Sequence, residues 1–292
     1  MKYLLIAIFL LSLCFPAPRL FGQGAEAADP SAMELMEQMT IAIDQIKTAT
    51  YTFRKSERFG KNFVNGAMVV KLQVSPFKTY VKITEPEADK GVEVLYMDGF
   101  YGGKALINTN GFPYINVKLY PKSNQMMRNR QHHPVSDVGF GKFRDNLLFY
   151  RKTMGTKTID LVRYEGSISY KGYDCDVVRL SSPDFRYVPY TVREDEDLFD
   201  IENRMMVSAY LILENNEEIN SYSNVKAGQL IRIPSSYSKE TVVYLNRETH
   251  LPVRFAMYDD KGIFESYEFL NVRINPRLLP EEFSEDFDGY GF

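Results

Sequence analysis

The 292-residue chain has no tryptophan, two cysteines and three histidines, and each scarcity excludes something. Cys14 lies in the N-terminal apolar run, so removal of that run leaves Cys175 alone. No intramolecular disulfide can then staple the fold, and stability has to come from packing. His132, His133 and His250 show no metal-ligand spacing with one another or with Cys175. No feature of the sequence sets a Cys–His nucleophile pair side by side. His132-His133 precedes Pro134 in a stretch rich in Asn, Arg and Gln, and His250 falls in an expected turn. All three read as solvated loop residues, and no catalytic residue, metal or cofactor is expected. A basic excess is missing too: 35 Lys and Arg face 38 Asp and Glu, a net charge of −3. That is no footprint for nucleic acid.

No apolar run reaches the ~20 residues that a membrane-spanning helix needs. The longest, Leu4 to Phe15, follows Lys2 and precedes Ala25-Glu26-Ala27. This is the layout of a secretory signal over residues 1–27, with small residues where a peptidase reads. Leu11-Ser12-Leu13-Cys14 resembles a lipoprotein signal, but Leu13 is too large for the position before the cysteine. Lys2, Arg19 and Glu26 together carry +1, so the rest of the chain stands at −4. About 265 residues remain, enough for a large core as one domain with an insert or as two domains.

An amphipathic helix is expected from Ser31 to about Lys47. Met33, Met36, Met39, Ile43 and Ile46 fall at spacings of three and four, and Ser31 with Glu34 fits a capping box. The methionine stripe suits a core face or a lid over a variable apolar surface, since methionine repacks easily. Strands follow with a period of two: Tyr51 to Arg58, Met68 to Val74, Tyr80 to Thr84, Val92 to Met97, Lys104 to Asn108 and Tyr114 to Leu119. Phe140 to Lys152 switches to helical spacing. Strands resume at Ile159 to Tyr164, Asp176 to Leu180, Thr241 to Leu245, Pro252 to Tyr258 and Phe264 to Leu270.

The segment 190–234 differs in kind. Tyr190-Thr191-Val192 favours a strand, and Asp197 can cap a helix carrying Leu198 and Ile201. Ser208 can cap a second helix carrying Leu211 and Ile212, and after Ala227-Gly228 a strand Leu230 to Ile233 stops at Pro234. The order is strand, helix, helix, strand. Nine carboxylates against Arg193, Arg204, Lys226 and Arg232 give this piece alone a charge of −5. The acidic run Glu194 to Asp197 lacks the glycine and distal glutamate of a calcium loop.

This segment resembles a LysM module along its whole length, from Tyr190-Thr191-Val192 through Val207-Ser208 and Val225-Lys226-Ala227-Gly228-Gln229 to Ile231-Arg232-Ile233-Pro234. LysM modules bind N-acetylglucosamine polymers such as peptidoglycan. The resemblance implies glycan contacts from Asp195, Glu196, Asp197, Leu198 and Phe199 in one loop, and from Asn216, Glu218, Ile219 and Asn220 in the other. Two departures bear on that: Asp195-Glu196-Asp197 replaces the usual Gly-Asp-Thr, and Met206 replaces the usual glycine between the helices. A carboxylate in place of glycine blocks close backbone approach and adds a charge to desolvate. A structural module that no longer binds sugar stays open.

The outer part resembles the LolA and LolB superfamily of lipoprotein carriers, and more closely an envelope family of that fold. The likeness is carried by Tyr51-Thr52-Phe53, Pro76-Phe77-Lys78, Gly91 to Tyr96, Val243-Tyr244-Leu245, Leu251-Pro252-Val253, Tyr258 to Gly262, Asn275 and Glu282-Phe283. It implies an incomplete antiparallel barrel with helices plugging its mouth and an apolar hollow for acyl chains. Met36, Met39, Ile43, Met68, Val70, Leu72, Val81, Ile83, Val94 and Tyr96 are the candidate lining, or ordinary core if the hollow is filled. The C-terminal Tyr290-Gly291-Phe292 has the terminal aromatic of an outer-membrane barrel, but helices and an insert interrupt the strands.

The expected fold is therefore α+β: an incomplete antiparallel β-barrel over 28–189 and 235–292, with plugging helices and an inserted βααβ module over 190–234. The expected role is non-enzymatic binding in the periplasm or envelope of a gram-negative bacterium. The expected partners are a lipid or lipoprotein acyl chain and peptidoglycan, with no nucleic acid and no membrane-spanning segment after signal cleavage. The alternative is a cell-wall scaffold with a filled barrel, docked through the LysM-like insert.

Overall fold

A computed structural model describes residues 31–128, 130–155 and 157–292. The expected secretory signal, Cys14 included, lies outside the described residues. Helix α1 (Ala32–Asp44) opens on the expected capping box. The Ser31 hydroxyl accepts from the Glu34 amide and the Glu34 carboxylate from the Ser31 amide, each at 3.1 Å. Leu35, Met36, Met39 and Ile43 of α1 are buried in the main core, so the methionine stripe is a core face.

The strands β1 (Thr48–Phe59), β2 (Asn62–Gln73), β3 (Lys78–Glu85), β4 (Glu93–Met97), β5 (Ala105–Asn108) and β6 (Asn116–Leu119) form an antiparallel meander. Gly60, at φ +61°, turns β1 into β2 without the clash a Cβ brings to left-handed backbone. Helices α2 (Asn124–Met127), α3 (Gly141–Met154) and α4 (Lys157–Leu161) come next, then β7 (Val162–Tyr170) and β8 (Tyr173–Ser181). The strands β9 (Tyr187–Thr191) and β10 (Leu230–Pro234) bracket α5 (Leu198–Met205) and α6 (Ala209–Glu214). The chain closes with β11 (Glu240–Asn246), β12 (Pro252–Asp259) and β13 (Gly262–Ile274).

Eleven strands make one antiparallel sheet in the order β6-β5-β4-β3-β2-β1-β13-β12-β11-β8-β7. Its edges, β6 and β7, do not pair, so the sheet is not closed. The joint between its halves is β1 against β13, with Phe53 opposite Phe269 and Lys55 opposite Tyr267. On the core face, α1 and α3 meet Tyr51, Val70, Phe255 and Phe269. Beyond β13 the chain crosses the opposite face. There Tyr290 stacks on Tyr80 at 3.8 Å, and Phe283 joins Tyr80, Leu95, Met97 and Leu106 in a second apolar cluster.

Several strand boundaries shift, and two of the shifts have a visible cause. The strand expected at Ile159 to Tyr164 begins only at Val162, after α4, and runs on to Tyr170. Its register slips between Tyr164 and Gly166, which sits at φ +101°. Such a bulge breaks the alternation that marks a strand. The small βααβ piece starts at Tyr187, earlier than Tyr190, because Tyr187 and Val188 already pair with Pro234 and Ile233.

That piece has its own two-stranded sheet, β9–β10, and its own core of Val192, Leu198, Ile201, Ile212, Ile231 and Ile233. Met127 of α2 is also buried in it. Asp197 and Asp200 form a reciprocal capping box at 2.9 Å on each side, and Ser208 caps α6. Met206, between the helices, takes the left-handed conformation at φ +50° that glycine adopts at least cost.

Candidate functional site

Alternation along the strands sends one set of side chains inward, and between the sheet and α3 they leave a cavity of about 930 Å³. Met68 and Val70 of β2, Val81 and Ile83 of β3, Val94 of β4 and Phe53 of β1 line it. Exposed lining residues Asn65, Glu85, Thr109, Arg128 and Arg130 mark where it meets solvent. Of the ten lining candidates, Met68, Val70, Val81, Ile83 and Val94 face this cavity. Met36 and Met39 line a separate pocket of about 80 Å³ under α3. Ile43 and Leu72 line a third, of about 280 Å³, and Tyr96 is buried in the main core.

Lys55, Glu57, His133, Lys142, Tyr237 and Tyr267 also line the cavity. They belong to a buried ionic network that the sequence reading missed. Glu265 of β13 is fully buried. Its carboxylate lies 2.8 Å from His132 Nδ1 and 3.4 Å from His133 Nε2, and it accepts from the Tyr237 hydroxyl at 2.7 Å. The Arg58 carbonyl can only accept, so His132 Nε2 donates to it at 2.8 Å. Glu57 accepts from Lys55 Nζ at 2.6 Å and from the Tyr267 hydroxyl at 2.8 Å. Lys55 Nζ also donates to the Arg130 carbonyl at 2.7 Å. Lys142 of α3 reaches Asn203 at 2.8 Å and lies 3.4 Å from Glu202 of α5.

The expectation that the histidines are solvated is therefore corrected for this pair. His132 is 1% exposed, and its ring stacks on Tyr210 of α6 at 3.8 Å. Burial works against a charge on His133, but Glu265, by charge and hydrogen bond, and Glu202, by charge, outweigh it and raise its pKa to about 9. Burial likewise opposes ionisation of Glu265, yet the charge of His133 and the hydrogen bonds of both histidines hold it well below the usual carboxylate range. Glu57 is lowered too, against burial, chiefly by the charge of Lys55. Glu202 goes the other way. Its burial outweighs Lys142 and His133 and raises it. A signal for this network did exist. Lys55 and Glu57 share the inward face of β1 with Tyr51 and Phe53, and Glu265 and Tyr267 share that of β13 with Phe269.

The nine glycan candidates scatter. Leu198, Phe199 and Ile219 are buried in the small core, so they form no sugar-facing surface. Asn216 is buried with its amide engaged: it donates to the carbonyls of Ile212 and Arg232 and accepts from the Arg232 amide. Glu196 accepts from Tyr190 and pairs with Arg204, and Asp197 is occupied as a cap. Asp195, Glu218 and Asn220 are exposed. The carboxylates Glu202 and Glu214 of the same piece turn toward the main body. Glu214 takes Arg58 and Lys261, each at 3.0 Å.

Residues 46–218 match the family model described as a protein of unknown function, DUF1571. The chain belongs to the DUF1571 family. The DUF1571 match runs from just before β1 to just after α6, so it takes in β9 and both helices of the small piece. No curated protein matches the chain. Among solved structures, this DUF1571 chain is similar to the lipoprotein LppX of Mycobacterium tuberculosis, with TM-score 0.40, 10% identity and coverage of 86% of this chain and 99% of that one. It is similar to a LolA superfamily protein of Nitrosomonas europaea, with TM-score 0.34, 11% identity and coverage of 88% and 99%. A third likeness is to the MucA/MucB complex of Pseudomonas aeruginosa, with TM-score 0.40, 11% identity and coverage of 87% and 61%.

Proposed function

We propose that this DUF1571 protein is a non-enzymatic binding protein of the bacterial envelope that holds an acyl chain, of a lipid or a lipoprotein, in the cavity of its open sheet. The observation that carries the reading is the cavity itself. At about 930 Å³ it falls in the range of roughly 300–1,000 Å³ typical of small-molecule sites. One part of its wall is valine, methionine and phenylalanine, and another part presents Lys55, His133, Tyr237 and Tyr267. Such a wall suits a ligand with a hydrocarbon tail and a polar head. Secretion across the inner membrane rests on residues 1–27 alone.

In this reading the LysM-like insert braces the body. Arg58 of β1 reaches Glu214 of α6, Tyr210 stacks on His132, and the Gly60 amide donates to the Tyr210 hydroxyl at 3.1 Å. A glycan role would fall to Asp195, Glu218 and Asn220, which remain exposed.

The test is uptake of a fluorescent fatty acid, with native mass spectrometry of protein purified from envelope extracts. Val94→Trp projects an indole into the cavity and should lower probe affinity at least about 10-fold, while the melting temperature stays near the wild-type value. A wild-type protein that takes up no probe and carries no lipid would replace the carrier by the filled-scaffold reading.

A further inference from the structure

From Gly99 to Ser136 the sequence contains no aspartate or glutamate, yet it holds Lys104, Lys118, Lys122, Arg128 and Arg130. In a chain with more acidic than basic residues, that is a local excess of five positive charges. The same stretch contains the β5–β6 hairpin at the free edge of the large sheet. The tip of the hairpin, residues 109–115, carries no charge. It exposes Phe112 at 91%, Tyr114 at 75% and Ile115 at 55% of their surface. The rings of Phe112 and Tyr114 meet edge to face. Large apolar side chains this exposed, and adjacent, mark a contact surface.

The tip also stands beside the cavity. Ile107 of β5, Thr109 of the tip and Val117 of β6 all line it. Tyr120, just past β6, is 56% exposed with Lys104 Nζ 5.0 Å from its ring centre, and Lys118 Nζ lies 4.3 Å from that of Tyr101. Carboxylates do approach this edge. Asn110 binds the Lys90 carbonyl at 3.0 Å on the turn that holds Glu87 and Asp89, Glu85 lines the cavity, and Glu285 and Asp286 act on Tyr101. None of them lies within the hairpin.

We propose that the β5–β6 hairpin is a docking element for a lipid bilayer containing anionic lipid. Phe112, Tyr114 and Ile115 enter the interface, and the surrounding lysines and arginines set the preference for negative headgroups. An amphipathic ring such as that of Tyr114 is favoured at the headgroup level, Phe112 and Ile115 supply apolar area to bury below it, and basic residues flanking an apolar contact add attraction to anionic lipid. This inference stands on the exposure and charge of the hairpin and does not require the cavity to hold a lipid.

The experiment is vesicle flotation of the chain from residue 28 onward, which retains every described element. It uses phosphatidylcholine vesicles with and without phosphatidylglycerol. Wild type should float, more strongly with phosphatidylglycerol present. The triple variant Phe112→Ser/Tyr114→Ser/Ile115→Ser replaces only exposed side chains, and an unchanged thermal melt confirms its fold. It should lose at least about 30-fold in partitioning. Lys104→Glu/Lys118→Glu, which reverses the two lysines at the hairpin strands, should keep the binding to phosphatidylcholine and lose the phosphatidylglycerol preference. Val94→Trp should float as wild type does, which separates this result from the acyl-binding test. A wild type that stays unbound, a triple variant that floats equally well, or a tip that serves only self-association in size-exclusion runs would each overturn the proposal.

Discussion

Replacing His133 by glutamine removes a charge that the fold holds in place, and the consequence has a definite pH window. The groups facing His133 are Glu265 at 3.4 Å, Glu202 at 3.8 Å, the Tyr237 hydroxyl at 3.0 Å and, by repulsion, Lys142. Together they raise its pKa from 6.5 to about 9. A raised value means that the native state binds the proton more tightly than the unfolded chain. The extra stability is complete below pH 6.5 and fades as pH climbs through 9. The difference corresponds to roughly 3 kcal/mol. Urea unfolding at pH 6.5, 7.5 and 9, fitted for the free energy in water, measures it. Wild type should weaken steadily across that window, and His133→Gln should show a nearly flat profile there. The gap between the two should narrow by roughly 3 kcal/mol from pH 6.5 to pH 9. Parallel profiles, or a wild type that gains stability toward pH 9, would refute a charged His133 paired with Glu265.

Arg58→Ala should cost about 3–5 kcal/mol in urea unfolding. It removes the guanidinium from both oxygens of buried Asp259, held at 3.0 and 2.5 Å, leaving Oδ1 with the Lys261 amide, and leaves Glu214 with Lys261 and Tyr210; a loss below about 1 kcal/mol would mean that Arg58 and Asp259 contribute no more than an exposed pair. In a peptidoglycan pull-down, Asp195→Gly frees the exposed loop of its carboxylate, so retention that rises with the substitution supports a glycan contact, and unchanged background retention leaves the insert as a brace alone.

Much of the local structure was legible in the residues. Ser31 with Glu34 and Asp197 with Asp200 form the caps that their spacing implied, and the meander from Tyr51 to Leu119 follows its period of two. The order strand, helix, helix, strand was also readable, from Tyr190 to Pro234, three residues short of where β9 begins. These are settled within a few residues by hydrogen bonds and side-chain alternation, and neighbouring sequence carries that information. The ionic network was not legible as a unit. His132, in the loop after α2, meets Glu265 of β13 across 133 positions, and Arg58 of β1 meets Asp259 at the end of β12 across 201, because β13 pairs with β12 on one side and returns to β1 on the other. Nothing local to either strand specifies that partner. The cavity has the same origin: Met68, Val81 and Val94 alternate as ordinary core would. Only the distance at which α3 and the loop before it pack against the sheet decides whether the space between is filled. Sequence alone thus determined which faces are apolar, and tertiary packing decided which of them stayed hollow and which charges met inside.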